Sequence, residues 1–109
     1  MQRSIALGLL VFTLSSVQRK PSAKLLTQDQ MVSILVDLEL AKAIVGYYTD
    51  NEATASQLLQ KNALLIYQAY DTSPDTFQKS YQHYLTQLEV MKEIYEAVIK
   101  QLEELEAKV

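Results

Sequence analysis

The fold class is decided by residues 27–48, which read TQDQMVSILVDLELAKAIVGYY. Thr27 and Gln30 have the spacing of a capping box, in which each side chain bonds a free backbone N–H at a helix start. Apolar residues then recur every three or four positions from Met31 to Tyr48, on a stripe wider than one neighbouring helix would cover. The pattern predicts a first helix that is nearly surrounded.

Two further helices follow from local signals. Residues 53–70 place their apolar side chains on one side, which predicts a second helix. Ser73 precedes Pro74, and Asp75 comes next. A serine caps a helix, a proline pre-sets its first backbone angle, and an acid suits its positive end. A third helix is therefore predicted to begin there.

The C-terminal third carries a coiled-coil-like seam. From Phe77 to Val109 apolar residues alternate at four- and three-residue steps. One continuous helix over residues 75–109 and a break at a second capping box, residues 86–89, both fit this pattern. A continuous helix would reach about 50 Å and overhang the earlier helices of about 25 Å. We therefore predict that Leu102, Leu105 and Val109 contribute to docking or self-association.

Composition limits the architecture. The chain has 109 residues, of which 49% are hydrophobic, with only two Gly and two Pro. That length suits one domain, and the scarcity of turn residues disfavours a β-rich fold. We predict an all-α fold, a small bundle of three to four helices with a long C-terminal helix.

The N-terminus has the layout of an export signal. Residues 1–16 combine Arg3 with an apolar run of about ten residues, too short to span a bilayer. Residues 17–26 form a basic tether, and residues 27–109 form the helical domain. The expected location is the cell envelope, in the periplasm or at the outer-membrane periphery. The alternative is a buried or amphipathic first helix of a cytosolic protein.

Charge and residue types argue against several functions. Residues 25–109 carry six Lys against thirteen acids, which disfavours nucleic-acid binding. There is no cysteine, His83 is the single histidine, and no Gly-rich phosphate loop or nucleophile motif occurs. We therefore expect no enzyme activity, no metal site and no cofactor.

Two polar residues are candidates for partner contact. Asp37 lies in an otherwise apolar run, where a carboxylate is unfavourable unless it is paired, so it either caps a neighbouring segment or marks a contact. Tyr84 is one of seven tyrosines, a residue type suited to core edges and to interfaces.

Four motifs in a fixed order carry a family resemblance: MVSILVDLELAKA at residues 31–43, Ile66-Tyr67, Phe77-x-x-Ser80-x-x-x-Tyr84 and Ile94-Tyr95-x-x-Val98. Together they resemble a Bacteroidota family of short predicted lipoproteins, classed only as a domain of unknown function. The resemblance covers roughly residues 20–105 and implies an envelope location and a helical fold. Val17 stands where the relatives have the lipidated cysteine, so this chain has no thiol for that modification.

The leading functional hypothesis is a non-catalytic, lipoprotein-like helical module of the envelope that docks onto another protein or gives structural support. The partner is an envelope protein or a second copy, and peripheral membrane association is left open. The alternative is a carrier of a small apolar ligand within the bundle. A buried apolar cavity of at least ~300 Å³ would favour the carrier, and an exposed apolar stripe would favour docking.

Overall fold

The computed structural model describes residues 24–109, which contain four α-helices and no strand. The helices are α1 (Gln28–Tyr48), α2 (Glu52–Ala69), α3 (Pro74–Leu85) and α4 (Leu88–Ala107). The predicted all-α bundle with a long C-terminal helix is confirmed. The predictions for the export signal and for the tether up to residue 23 lie outside the described residues.

The predicted starts of α1 and α3 are confirmed by their caps. The Thr27 hydroxyl accepts from the Gln30 N–H at 3.2 Å, and the Gln30 side chain accepts from the Thr27 N–H at 2.8 Å. The Ser73 hydroxyl accepts from the Thr76 N–H at 3.1 Å. Because these bonds join residues three apart, the local sequence sets both starts.

The C-terminal seam is divided at Thr86 and Gln87. The continuous-helix interpretation is therefore wrong, and the alternative, a break near Thr86, is confirmed. The predicted capping box at residues 86–89 is also wrong. An N-cap residue has an extended backbone, whereas Thr86 has φ −79° and ψ −7°, and its hydroxyl donates to the His83 carbonyl at 2.6 Å. Thr86 therefore ends α3, and α4 begins after Gln87 without a side-chain cap.

The core lies around the first half of α1, which packs against both α2 and α4. The prediction that neighbours surround α1 is therefore correct for that half. In the second half, from Leu40 to Tyr48, only Val45 is buried. No residue of α2 is fully buried, although Ile66 and Tyr67 pack against the core. The buried hydrophobic cluster comprises Leu26, Met31, Val32, Ile34, Leu35, Val36, Phe77, Met91, Ile94 and Val98.

Among residues 24–109, no helix combines the length and the apolar character needed to cross a membrane.

Candidate functional site

The Ser-x-x-x-Tyr motif of α3 binds the chain just before α1. The Ser80 hydroxyl accepts from the Leu26 N–H at 2.9 Å and donates to the Thr76 carbonyl at 2.8 Å. The Tyr84 hydroxyl donates to the Leu26 carbonyl at 2.7 Å. Ser80 is fully buried and Leu26 nearly so. We call Ser80 and Tyr84 the N-terminal clamp, because they satisfy both backbone polar groups of Leu26 and fix where the chain enters α1.

Asp37 ties α1 to the end of α2. The Tyr70 hydroxyl donates to a carboxylate oxygen of Asp37 at 2.8 Å. This hydrogen bond is the main reason that the pKa of Tyr70 is raised, and burial and the charge of Asp37 add to it. The carboxylate thus has an intramolecular partner 33 residues away in the chain. Its contact with a partner protein stays a prediction.

All four helices contribute to an open groove of about 510 Å³. At one wall the hydroxyls of Tyr81 and Tyr95 share a hydrogen bond of 2.8 Å. Burial, followed by this bond, raises the pKa of Tyr95. At the rim, Lys42 pairs with Glu39 at 3.2 Å. The apolar side chains that line this four-helix groove are Leu35, Leu38, Ala41, Leu59, Ala63 and Phe77.

A second apolar surface lies on the outside of the α1–α2 hairpin. On α1, Ile44 is 58% exposed, Tyr47 83% and Tyr48 77%. Leu40 lies one turn before Ile44, so the four side chains follow one side of the helix. The Tyr47 and Tyr48 rings meet edge to face, with centroids 5.1 Å apart.

The apolar surface continues onto α2. Asn62 lines a shallow depression of about 210 Å³ together with Leu40 and Ile44. Leu58 and Leu65 lie four residues before and three after Asn62, on the same side of the helix, and both are exposed. We call the whole surface the hairpin face; its residues are Leu40, Ile44, Tyr47, Tyr48, Leu58, Asn62 and Leu65.

The hairpin face was not predicted as a site. The periodicity of residues 27–48 assigned Leu40 and Tyr48 to the buried stripe of α1, and periodicity alone does not say how far along a helix its neighbours reach. The usable signal was the pair of adjacent tyrosines next to the turn at residues 49–51, since tyrosine combines a large apolar ring with a polar tip and is enriched at interfaces.

The five predicted partner contacts do not form one surface. Asp37 and Tyr84 are engaged with Tyr70 and Leu26, in different parts of the bundle. The other three lie near the end of α4. There Leu102 is half-buried and packs against the core, whereas Leu105 is 39% exposed and Val109 is fully exposed.

Within residues 24–109, no three acidic or histidine side chains lie close enough together to hold a metal ion. His83 is exposed, with its Nε2 3.2 Å from the Gln87 amide nitrogen and its ring against that of Tyr84. His83 therefore lies in the last turn of α3, beside the turn that leads into α4.

Comparison with curated proteins finds no match, and neither does comparison with solved structures. A family profile matches residues 22–108. The match covers every described residue except Val109, and it includes both members of the N-terminal clamp. The chain therefore belongs to the family described as "Domain of unknown function (DUF4296)".

Proposed function

We propose that this protein is a non-catalytic helical module that docks onto another protein through the hairpin face. The observation that carries the proposal is the exposure of three adjacent large apolar side chains, Ile44, Tyr47 and Tyr48, on one side of α1. Contiguous apolar surface on a soluble domain is a feature of interaction sites. Exposed single residues elsewhere, such as Ile99 on α4, are ordinary.

The geometry of the hairpin face suits a helical partner. Two neighbouring helices present apolar side chains on both sides of the shallow depression between Ile44 and Asn62. An amphipathic helix binds such a surface by placing its own apolar stripe between the two rows. The tyrosines add large, rigid contact area with a polar tip, which is the composition of interface hot spots.

The cell envelope is the proposed location. The export-type pattern of residues 1–16 and the basic tether support it, and the tether runs into the family-matched region, which begins at residue 22. Val17 has no thiol, so the processed protein is released rather than lipidated. Val17→Cys is then expected to move the protein into the membrane fraction, measured by fractionation of the native host. No shift would contradict the lipoprotein-like interpretation.

The test of docking is site-specific crosslinking in the native host. Tyr47 is replaced by a benzophenone amino acid, and Ile99 in a matched control, because Ile99 is 54% exposed on a different helix. A crosslinked product at position 47 that Ile44→Lys removes, and that the Ile99 position does not give, supports docking through the hairpin face. No product at position 47, or equal products at both positions, would contradict it.

Binding of a small apolar ligand is the second candidate, favoured by the volume and apolar lining of the four-helix groove. Because the groove is open rather than enclosed, a ligand there would remain partly in water, which places this function second. Ala63→Phe narrows the groove, whereas Ala53→Phe changes an exposed position at the start of α2. Loss of binding of the dye Nile red in the first variant alone would support the carrier.

A further inference from the structure

We infer that the partner segment received by the hairpin face is basic and amphipathic, with apolar residues flanked by Lys or Arg. The inference rests on the proposed docking function and names the chemistry of its partner. It comes from the charges around the apolar surface rather than from the apolar surface itself.

The turn beside the two tyrosines is acidic. Asp50 and Glu52 follow Tyr48 directly, and both are exposed. The two salt bridges within the described residues join Lys42 to Glu39 and Lys79 to Asp75, so neither reaches this turn. No Lys or Arg occurs between residues 42 and 61. The turn therefore presents two carboxylates without a Lys or Arg partner next to exposed aromatic rings.

Carboxylates also outnumber basic groups around the rest of the hairpin face. Asp37 lies at the other end, where Tyr70 hydrogen-bonds it. Lys61 is the one basic residue at the border, four residues before Leu65. Three carboxylates thus surround the face against one ammonium group.

Aromatic rings and carboxylates together favour a cation on the partner. A Lys or Arg side chain can place its aliphatic stem on Tyr47 or Tyr48, its charge over the face of a ring, and its donors on Asp50 or Glu52. The rings are accessible, since Tyr47 is 83% exposed. An acidic or neutral partner would leave the two carboxylates unpaired at the contact.

The same charges argue against the other occupants. Residues 24–109 carry seven Lys and no Arg against thirteen acids, a net charge of −6. A second copy would bring an equally acidic body and an equally acidic turn to the contact. An anionic lipid surface would be repelled by the same groups.

The test uses two labelled synthetic helices that share one leucine stripe and differ in their polar residues, Lys in one and Glu in the other. Binding to the purified protein is followed by fluorescence polarisation. We expect the Leu/Lys helix to bind at least about tenfold more tightly than the Leu/Glu helix. Raising the salt from about 50 to about 500 mM should reduce that difference.

Three variants locate the binding. Ile44→Ser should weaken binding of the Leu/Lys helix by about tenfold or more, whereas Ile99→Ser, similarly exposed on α4, should not. Asp50→Asn combined with Glu52→Gln should bring the affinity for the Leu/Lys helix close to that for the Leu/Glu helix. Circular dichroism confirms that each variant is folded.

Equal binding of both helices, or equal effects of Ile44→Ser and Ile99→Ser, would overturn the inference. A dimer in sedimentation velocity that Ile44→Ser dissociates would also overturn it, because a second copy would then cover the face. If the Leu/Lys helix fails to bind while crosslinking at position 47 still succeeds, the partner chemistry is wrong and the docking function stands. Failure of the crosslinking removes the docking function itself.

Discussion

Ser80→Ala tests the N-terminal clamp, and its effect can be worked from the structure. The substitution removes the acceptor of the buried Leu26 N–H and the donor to the Thr76 carbonyl, and it deletes a single oxygen atom. A buried donor left without a partner costs about 1–3 kcal/mol. A domain of this size has a total stability of roughly 4–13 kcal/mol. The loss from Ser80→Ala is therefore a large fraction of the total stability of the domain. Each kcal/mol of lost stability lowers Tm by about 4–8 °C.

The measurement is urea unfolding followed by circular dichroism, with amide hydrogen exchange at Leu26 as the local probe. Ser56→Ala is the matched control, because Ser56 is exposed on α2 and alanine is the better helix former there. Tyr84→Phe should lose about 0.5–1.5 kcal/mol through the bond to the Leu26 carbonyl. The reasoning is refuted if Ser80→Ala is as stable as Ser56→Ala, or if exchange at Leu26 does not accelerate.

Two further predictions concern pH and the C-terminal seam. The pKa values of Tyr67, Tyr70 and Tyr95 are raised above the ordinary 10.0, so above that pH the unfolded chain releases protons that the folded one keeps. The contribution of these tyrosines to the free energy of unfolding should therefore be fully present below pH 10.0, and the free energy of unfolding should fall as the pH rises above it. Urea unfolding between about pH 8 and about pH 11 measures this. Tyr70→Phe should make this fall smaller. Leu102→Lys should cost about 1–3 kcal/mol because Leu102 packs on the core, whereas Leu105→Lys should stay within about 0.5 kcal/mol; equal losses would mean that α4 is covered evenly to its end.

Features determined within a few residues could be predicted from the sequence. The cap of α1 joins Thr27 to Gln30, and the cap of α3 joins Ser73 to Thr76. Each depends on a side chain and an N–H three positions apart, so tertiary contacts are not needed to specify it. The all-α class followed from the long stretches without Gly or Pro for the same reason.

Features that depend on distant residues could not be predicted. Asp37 is paired with Tyr70, and Ser80 and Tyr84 bind Leu26, which is more than 50 residues earlier in the chain. A sequence pattern shows that a carboxylate needs a partner without showing which residue supplies it. The break near Thr86 was one of two predicted alternatives and is present, but the capping box assigned to it was wrong, since the Thr86 hydroxyl suited the end of α3 as well as the start of α4.

The hairpin face lies where α1 extends beyond the buried cluster. At 1.5 Å per residue, α1 with 21 residues is about 32 Å long. The buried residues of α1 other than Val45 lie in its first half, in the same cluster as Phe77 of α3. The second half is less buried, and we expect polar residues at Ile44 and Tyr47 to cost the isolated domain little, because both side chains are mostly exposed. The packing of the domain itself accounts for little of their apolar character, which is the reason that we propose a bound partner there.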